Sequence, residues 1–77
     1  MLFRSRVKLL LNRGGTEAVL EESRRTRSAL GKERLFDALL DQGPLRKADA
    51  ARIATTVAAL EPSATRDALL QRIRAGN

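Results

Sequence analysis

The sequence predicts an all-α protein, a small bundle of four to five short helices. Three observations carry that expectation. In the C-terminal half, apolar residues such as Leu35, Phe36, Leu39 and Leu40 recur at three- and four-residue steps, the spacing that places side chains on one helix face. No stretch alternates β-branched and polar residues, as a half-buried strand does. Glycine and proline punctuate the chain at Gly14-Gly15, Gly31, Gly43-Pro44, Pro62 and Gly76, and each break bounds one helical segment.

The first segment runs from about Leu2 to Arg13 and stops at Gly14-Gly15, because glycine accepts the left-handed cap conformation without a Cβ clash. Phe3, Val7, Leu10 and Leu11 form its apolar stripe, flanked by Arg4, Arg6, Lys8 and Arg13. Interfacial membrane helices share this pattern, as do helices that dock on their own domain or on a second subunit. Docking is favoured, since one short helix with four basic residues holds a membrane only weakly. A membrane role is not expected. The chain therefore divides into residues 1–15, a basic amphipathic helix with a Gly-Gly hinge, and residues 16–77, a compact helical domain.

Thr16 is placed to N-cap a second segment with Glu17 in its first turn, where an acid suits the helix dipole. This segment is expected to reach Leu30 and stop at Gly31. Its stripe of Val19, Ser23, Thr26 and Leu30 is polar in the middle, which predicts a poorly anchored, solvated helix. Glu21 precedes Arg24 and Arg25 at helix-pair spacing, and such pairs contribute about 0.2–0.5 kcal/mol each. "SRRTR" thus reads first as a solvated, self-neutralised face, with Arg24 and Arg27 available to a partner.

The third segment, 32–42, carries Glu33, Asp37 and Asp41 at four-residue steps. A hairpin with the second segment is expected to set these acids near Arg24, Arg27 and Lys32. The fourth, 46–60, buries Ala50, Ile53, Ala54, Val57 and Leu60, and its alanines at 48, 50, 51, 54, 58 and 59 allow close helix approach. Ser63 caps the fifth, which runs to Arg74 or Ala75 and turns Ala64, Leu69, Leu70 and Ile73 inward. These last three helices are expected to be the stable part.

Composition narrows the function. A chain of 77 residues has interior for one domain. A core of this size supplies roughly 3–5 kcal/mol, which leaves room for a homodimer. There is no cysteine and no histidine, so disulfides, thiolate metal sites and the usual neutral-pH acid-base group are excluded. Gly14-Gly15 lacks the lysine of a phosphate loop. No catalysis, metal or cofactor is expected. The apolar run Leu9-Leu10-Leu11 is far short of the roughly 7–15 residues of a secretory signal, and a cytoplasmic chain is expected. The formal charge of +6 and the pI near 11.3 point to an anionic partner: duplex DNA or an acidic protein.

The stretch "LFDALLDQGPLRKADAARIATTVAALEPSATRDALLQRI" reads as helix, Gly-Pro turn, helix, Pro-Ser turn, helix. That order resembles helix-turn-helix and winged-helix DNA readers, in which a Ser-initiated third helix enters the major groove. The resemblance implies a regulatory DNA-binding protein with Ser63, Thr65 and Arg66 at the groove and Arg46, Lys47, Arg72 and Arg74 on phosphates. It covers about half the chain. Its fourth segment is longer than the usual scaffold helix, "LEPS" lacks the customary turn glycine, and no wing strands follow Ile73.

The competing reading is a protein-protein interaction adaptor, inhibitor or assembly factor. It would offer Phe3, Val7, Leu10 and Leu11, or Arg24 and Arg27, to its partner.

Overall fold

The computed structural model describes residues 2–43 and 45–75, with side chains from residue 5 onward. Four helices form: α1 (Leu2–Arg25), α2 (Ala29–Asp41), α3 (Lys47–Ala58) and α4 (Ala64–Arg74). No strand occurs among the described residues. Pro44 and Gly76, expected at a corner and a helix stop, lie outside the described residues, as does the Phe3 side chain.

The Gly-Gly break is a kink inside α1. Gly14 (φ −151°, ψ 15°) and Gly15 (φ 65°, ψ −154°) leave helical geometry and divide α1 into arms 2–13 and 16–25. A straight helix of 24 residues would span about 36 Å, more than the molecule's longest dimension of 29 Å. The arms instead fold together, and Arg6 Nε and Nη2 reach Glu22 Oε2 at 2.9 and 2.5 Å. Gly15 needs to be glycine here, because its φ/ψ lies in a region that is essentially glycine-only.

The second break falls earlier than expected. Helix α1 ends at Arg25, and α2 begins at Ala29 rather than near Lys32. Ser28 stands at the N-cap, its Oγ accepting from the Gly31 amide at 2.9 Å. Gly31 is therefore inside the first turn of α2 and stops nothing. A Cβ there would come within 2.7 Å of Thr26 Cγ2 and 2.8 Å of Ser28 Oγ, so glycine is needed for close approach to the turn.

The core joins all four helices. Val7, Val19 and Leu20 enter from α1, Leu35, Phe36, Ala38, Leu39 and Leu40 from α2, Ile53 and Val57 from α3, and Leu69 and Ile73 from α4. Helix α2 is central: it packs broadly on α1 and α4 and touches α3 more lightly, while α3 rests mainly on α4. The C-terminal helices are thus not a self-contained trio, since the most extensive contact is between α1 and α2.

Two further expectations are corrected. The second arm of α1 is anchored rather than solvated, because Val19 and Leu20 are buried and Ser23 is only 2% exposed. Ser23 tolerates burial by donating to the Leu20 carbonyl at 2.6 Å, the local bond that satisfies a hydroxyl inside a helix. The α3 alanines are mostly surface: Ala48, Ala51, Ala58 and Ala59 are exposed, as is Ala64 of α4. Ala50 and Ala54 are half-buried against the core, and the alanine within the buried core is Ala38 of α2.

Candidate anion-binding surface

The acidic stripe of α2 is neutralised from a different side than expected. Arg72 of α4 donates Nη1 to Asp37 Oδ1 and Nη2 to Asp41 Oδ1, the latter at 2.9 Å, and so clamps α2 to α4. Glu33, 7% exposed, accepts the Ser63 hydroxyl at 2.7 Å. Among the described residues, Arg24, Arg27 and Lys32 make no ion pair with Glu33 or Asp37.

A second polar cluster ties the kink to α3. Arg52 Nη2 donates to Glu17 Oε1, and Arg52 Nη1 lies 4.0 Å from Asp49 Oδ1. Thr16 Oγ1 donates to Asp49 Oδ2 at 3.3 Å. Thr16 therefore reaches across to α3.

Four of the seven residues expected to meet DNA stand free. Arg46, Lys47, Thr65 and Arg74 are exposed, and the three cations among them make no ion pair with a described residue. Arg46 is the N-cap of α3 with extended backbone (φ −65°, ψ 153°), and its side chain makes no capping bond. Thr65 stands in the first turn of α4. Ser63 is committed to capping α4 and to Glu33. Arg72 is committed to Asp37 and Asp41. Arg66, its side chain 23% exposed, donates to the Ala58 carbonyl at 3.3 Å and to Asp67 Oδ1 at 3.1 Å. It braces the α3–α4 corner.

The residues expected to meet a protein partner also separate. Val7 is 0% exposed and belongs to the core. Leu10 and Leu11 are half-buried and pack against it. Arg27 is exposed, and Arg24 pairs with Glu21 at 2.6 Å on the surface.

The arms of α1 create a feature that the stripe alone does not reveal. An open groove of about 280 Å³ is lined by Arg6, Leu9, Leu10, Arg13, Glu22 and Arg25. Leu9 is 58% exposed. It falls off the Phe3–Val7–Leu10 line, and Arg25 belongs to the other arm. The sequence signal for both was the Gly-Gly break itself, which folds residue 6 against residue 22.

Among the described residues, no cluster of His, Cys, Asp and Glu suited to a metal ion occurs and no helix is long and apolar enough to cross a membrane. The chain matches no protein-family model, no curated protein and no solved structure.

Proposed function

We propose that the protein is a small non-enzymatic regulatory module that binds duplex DNA chiefly through phosphates. One observation carries the reading: the fold absorbs its own negative charge and leaves most of its positive charge outward. Among the described residues, every side-chain carboxylate except that of Glu61 has a hydrogen-bond or ion-pair partner. Lys8, Arg13, Arg25, Arg27, Lys32, Arg34, Arg46, Lys47 and Arg74 have no carboxylate partner among the described residues. A surface of this kind attracts a polyanion by releasing its condensed counterions. With two aromatic residues in the chain, one of them the fully buried Phe36, base stacking on rings is not the means, and duplex backbone contacts fit better than single-strand recognition.

The helix-turn-helix-like unit in this reading is α3, the turn 59–63 and α4. Arg46, Lys47 and Arg74 meet phosphates, and Thr65 with Arg66 faces the groove. Arg66 must exchange Asp67 for a base edge. Ser63 and Arg72 act by holding α4 in place rather than by touching DNA.

The test is fluorescence anisotropy with a labelled random-sequence duplex at low salt, followed by selection of preferred sequences. Replacing both Arg46 and Lys47 with Ala weakens every sequence alike, whereas Arg66→Ala relaxes sequence preference. Absence of binding to any duplex at low salt overturns the reading.

A further inference from the structure

The groove between the arms of α1 is not used by the phosphate contacts proposed above. Its floor is Leu9 and Leu10, and its rim holds Arg6, Arg13 and Arg25 with the single carboxylate Glu22. Arg6 is taken up by Glu22 at 2.5 Å, which leaves the guanidiniums of Arg13 and Arg25 without a carboxylate partner among the described residues. An exposed leucine beside two uncompensated arginines is doubly unsatisfied in the free chain. Its apolar surface is wet, and its charges repel one another.

We propose that this groove binds an acidic amphipathic helix of a partner protein, one with a leucine or phenylalanine ridge flanked by Asp or Glu. Charge complementarity selects this occupant. The apolar floor takes the ridge side chain, and the flanking carboxylates pair with Arg13 and Arg25 in the bidentate geometry that guanidinium favours. A volume near 280 Å³, open to one side, is below the usual range for an enclosed small-molecule site of about 300–1,000 Å³. It suits one or two anchoring side chains better. A second copy of this chain does not fit. Among the described residues its other exposed large apolar side chain is Leu30, which is followed by Lys32 and Arg34, and its described acids other than Glu61 already have internal partners. Nucleic acid would engage the rim but gain nothing from Leu9.

The test uses the full chain, isotopically labelled, and three synthetic helical peptides about four turns long. One has a leucine ridge with Glu flanks, one the same ridge with Lys flanks, and one the Glu-peptide composition shuffled to destroy the ridge. Titration followed by amide chemical shifts is expected to show the Glu-flanked peptide binding at residues 6–13 and 22–25, with the other two inert. The Arg13→Glu/Arg25→Glu variant loses about tenfold or more in affinity for the Glu-flanked peptide and gains the Lys-flanked one. Leu9→Gln loses binding while Arg74→Ala keeps it. Leu9, Arg13 and Arg25 are exposed, so these variants fold, and their amide spectra report it. The proposal is overturned if the shuffled peptide binds equally, if the shifts map elsewhere, or if Leu9→Gln binds unchanged. It is also overturned if phosphatidylserine vesicles perturb the groove while the Glu-flanked peptide does not.

Discussion

Ser63 and Glu33 meet across the bundle at 2.7 Å, the hydroxyl donating to Oε2, while the same Ser63 oxygen accepts the Arg66 amide at 3.0 Å. One side chain thus caps α4 and satisfies a buried carboxylate on α2. Ser63→Ala removes both bonds. Loss of an N-cap costs about 1 kcal/mol, and an orphaned buried acceptor costs about 1–3 kcal/mol more. A urea titration followed by far-UV circular dichroism is expected to show Ser63→Ala destabilised by about 2–4 kcal/mol. Glu33→Gln, which keeps an acceptor oxygen, loses less. Equal stability of Ser63→Ala and the parent chain would show that the contact contributes nothing.

The kink separates two glycines that look equivalent in sequence. Gly15 has φ +65° and ψ −154°, whereas Gly14 has extended φ and meets only Ala18 Cβ at 3.2 Å. Gly15→Ala is expected to destabilise by about 1–3 kcal/mol. Gly14→Ala costs less, since a small shift of one methyl relieves it. Thermal melts of the two variants check the order, and a reversed order contradicts the kink geometry.

Arg72 spans Asp37 and Asp41 in a partly exposed site. Its removal leaves two like charges one helical turn apart, a penalty limited by solvent screening to about 0.5–1 kcal/mol. Arg72→Ala is therefore expected to lose about that much at low ionic strength and less at 1 M salt, where the Debye length is about 3 Å. Arg72→Lys recovers only part, because one ammonium cannot address both carboxylates with a planar fork. Denaturant midpoints at two salt concentrations measure this.

Phe36 is the largest fully buried side chain among the described residues and lies on α2, the helix that contacts all the others. Phe36→Ala is expected to cost about 3–5 kcal/mol, comparable to the roughly 3–5 kcal/mol that a single core of this size supplies. Its amide spectrum should collapse toward that of an unfolded chain. A dispersed spectrum for Phe36→Ala would place the centre of the core elsewhere.

Much of this architecture is legible in the sequence, for reasons that particular residues make clear. The stripes Leu35–Phe36–Leu39–Leu40, Ile53–Val57 and Leu69–Ile73 are buried as their spacing requires, and Ser63 caps α4. Local signals suffice where period and cap agree. The turn at residues 26–28 was hidden because Gly31 is the more familiar stop signal, while Ser28 declares itself only once its oxygen is seen to accept from Gly31. Ser23 misled for a related reason: a hydroxyl can be buried when it bonds its own helix. The long-range pairs, Arg72 with Asp37 and Arg6 with Glu22, depend on how helices lie against one another, which periodicity does not encode. For the same reason the sequence does not reveal that Ser63 and Arg72 are engaged in internal bonds, or that Leu9 and Arg25 line one groove.

The salt dependence of duplex binding tests most directly whether the outward cations serve a polyanion. The logarithm of the association constant is expected to fall linearly with the logarithm of salt concentration. Its slope is reduced by about 0.9 for each of Arg46, Lys47 and Arg74 replaced with Ala and unchanged by Glu61→Gln. A slope near zero, or one indifferent to all three arginine and lysine replacements, would contradict a phosphate-binding surface at the start of α3 and the end of α4.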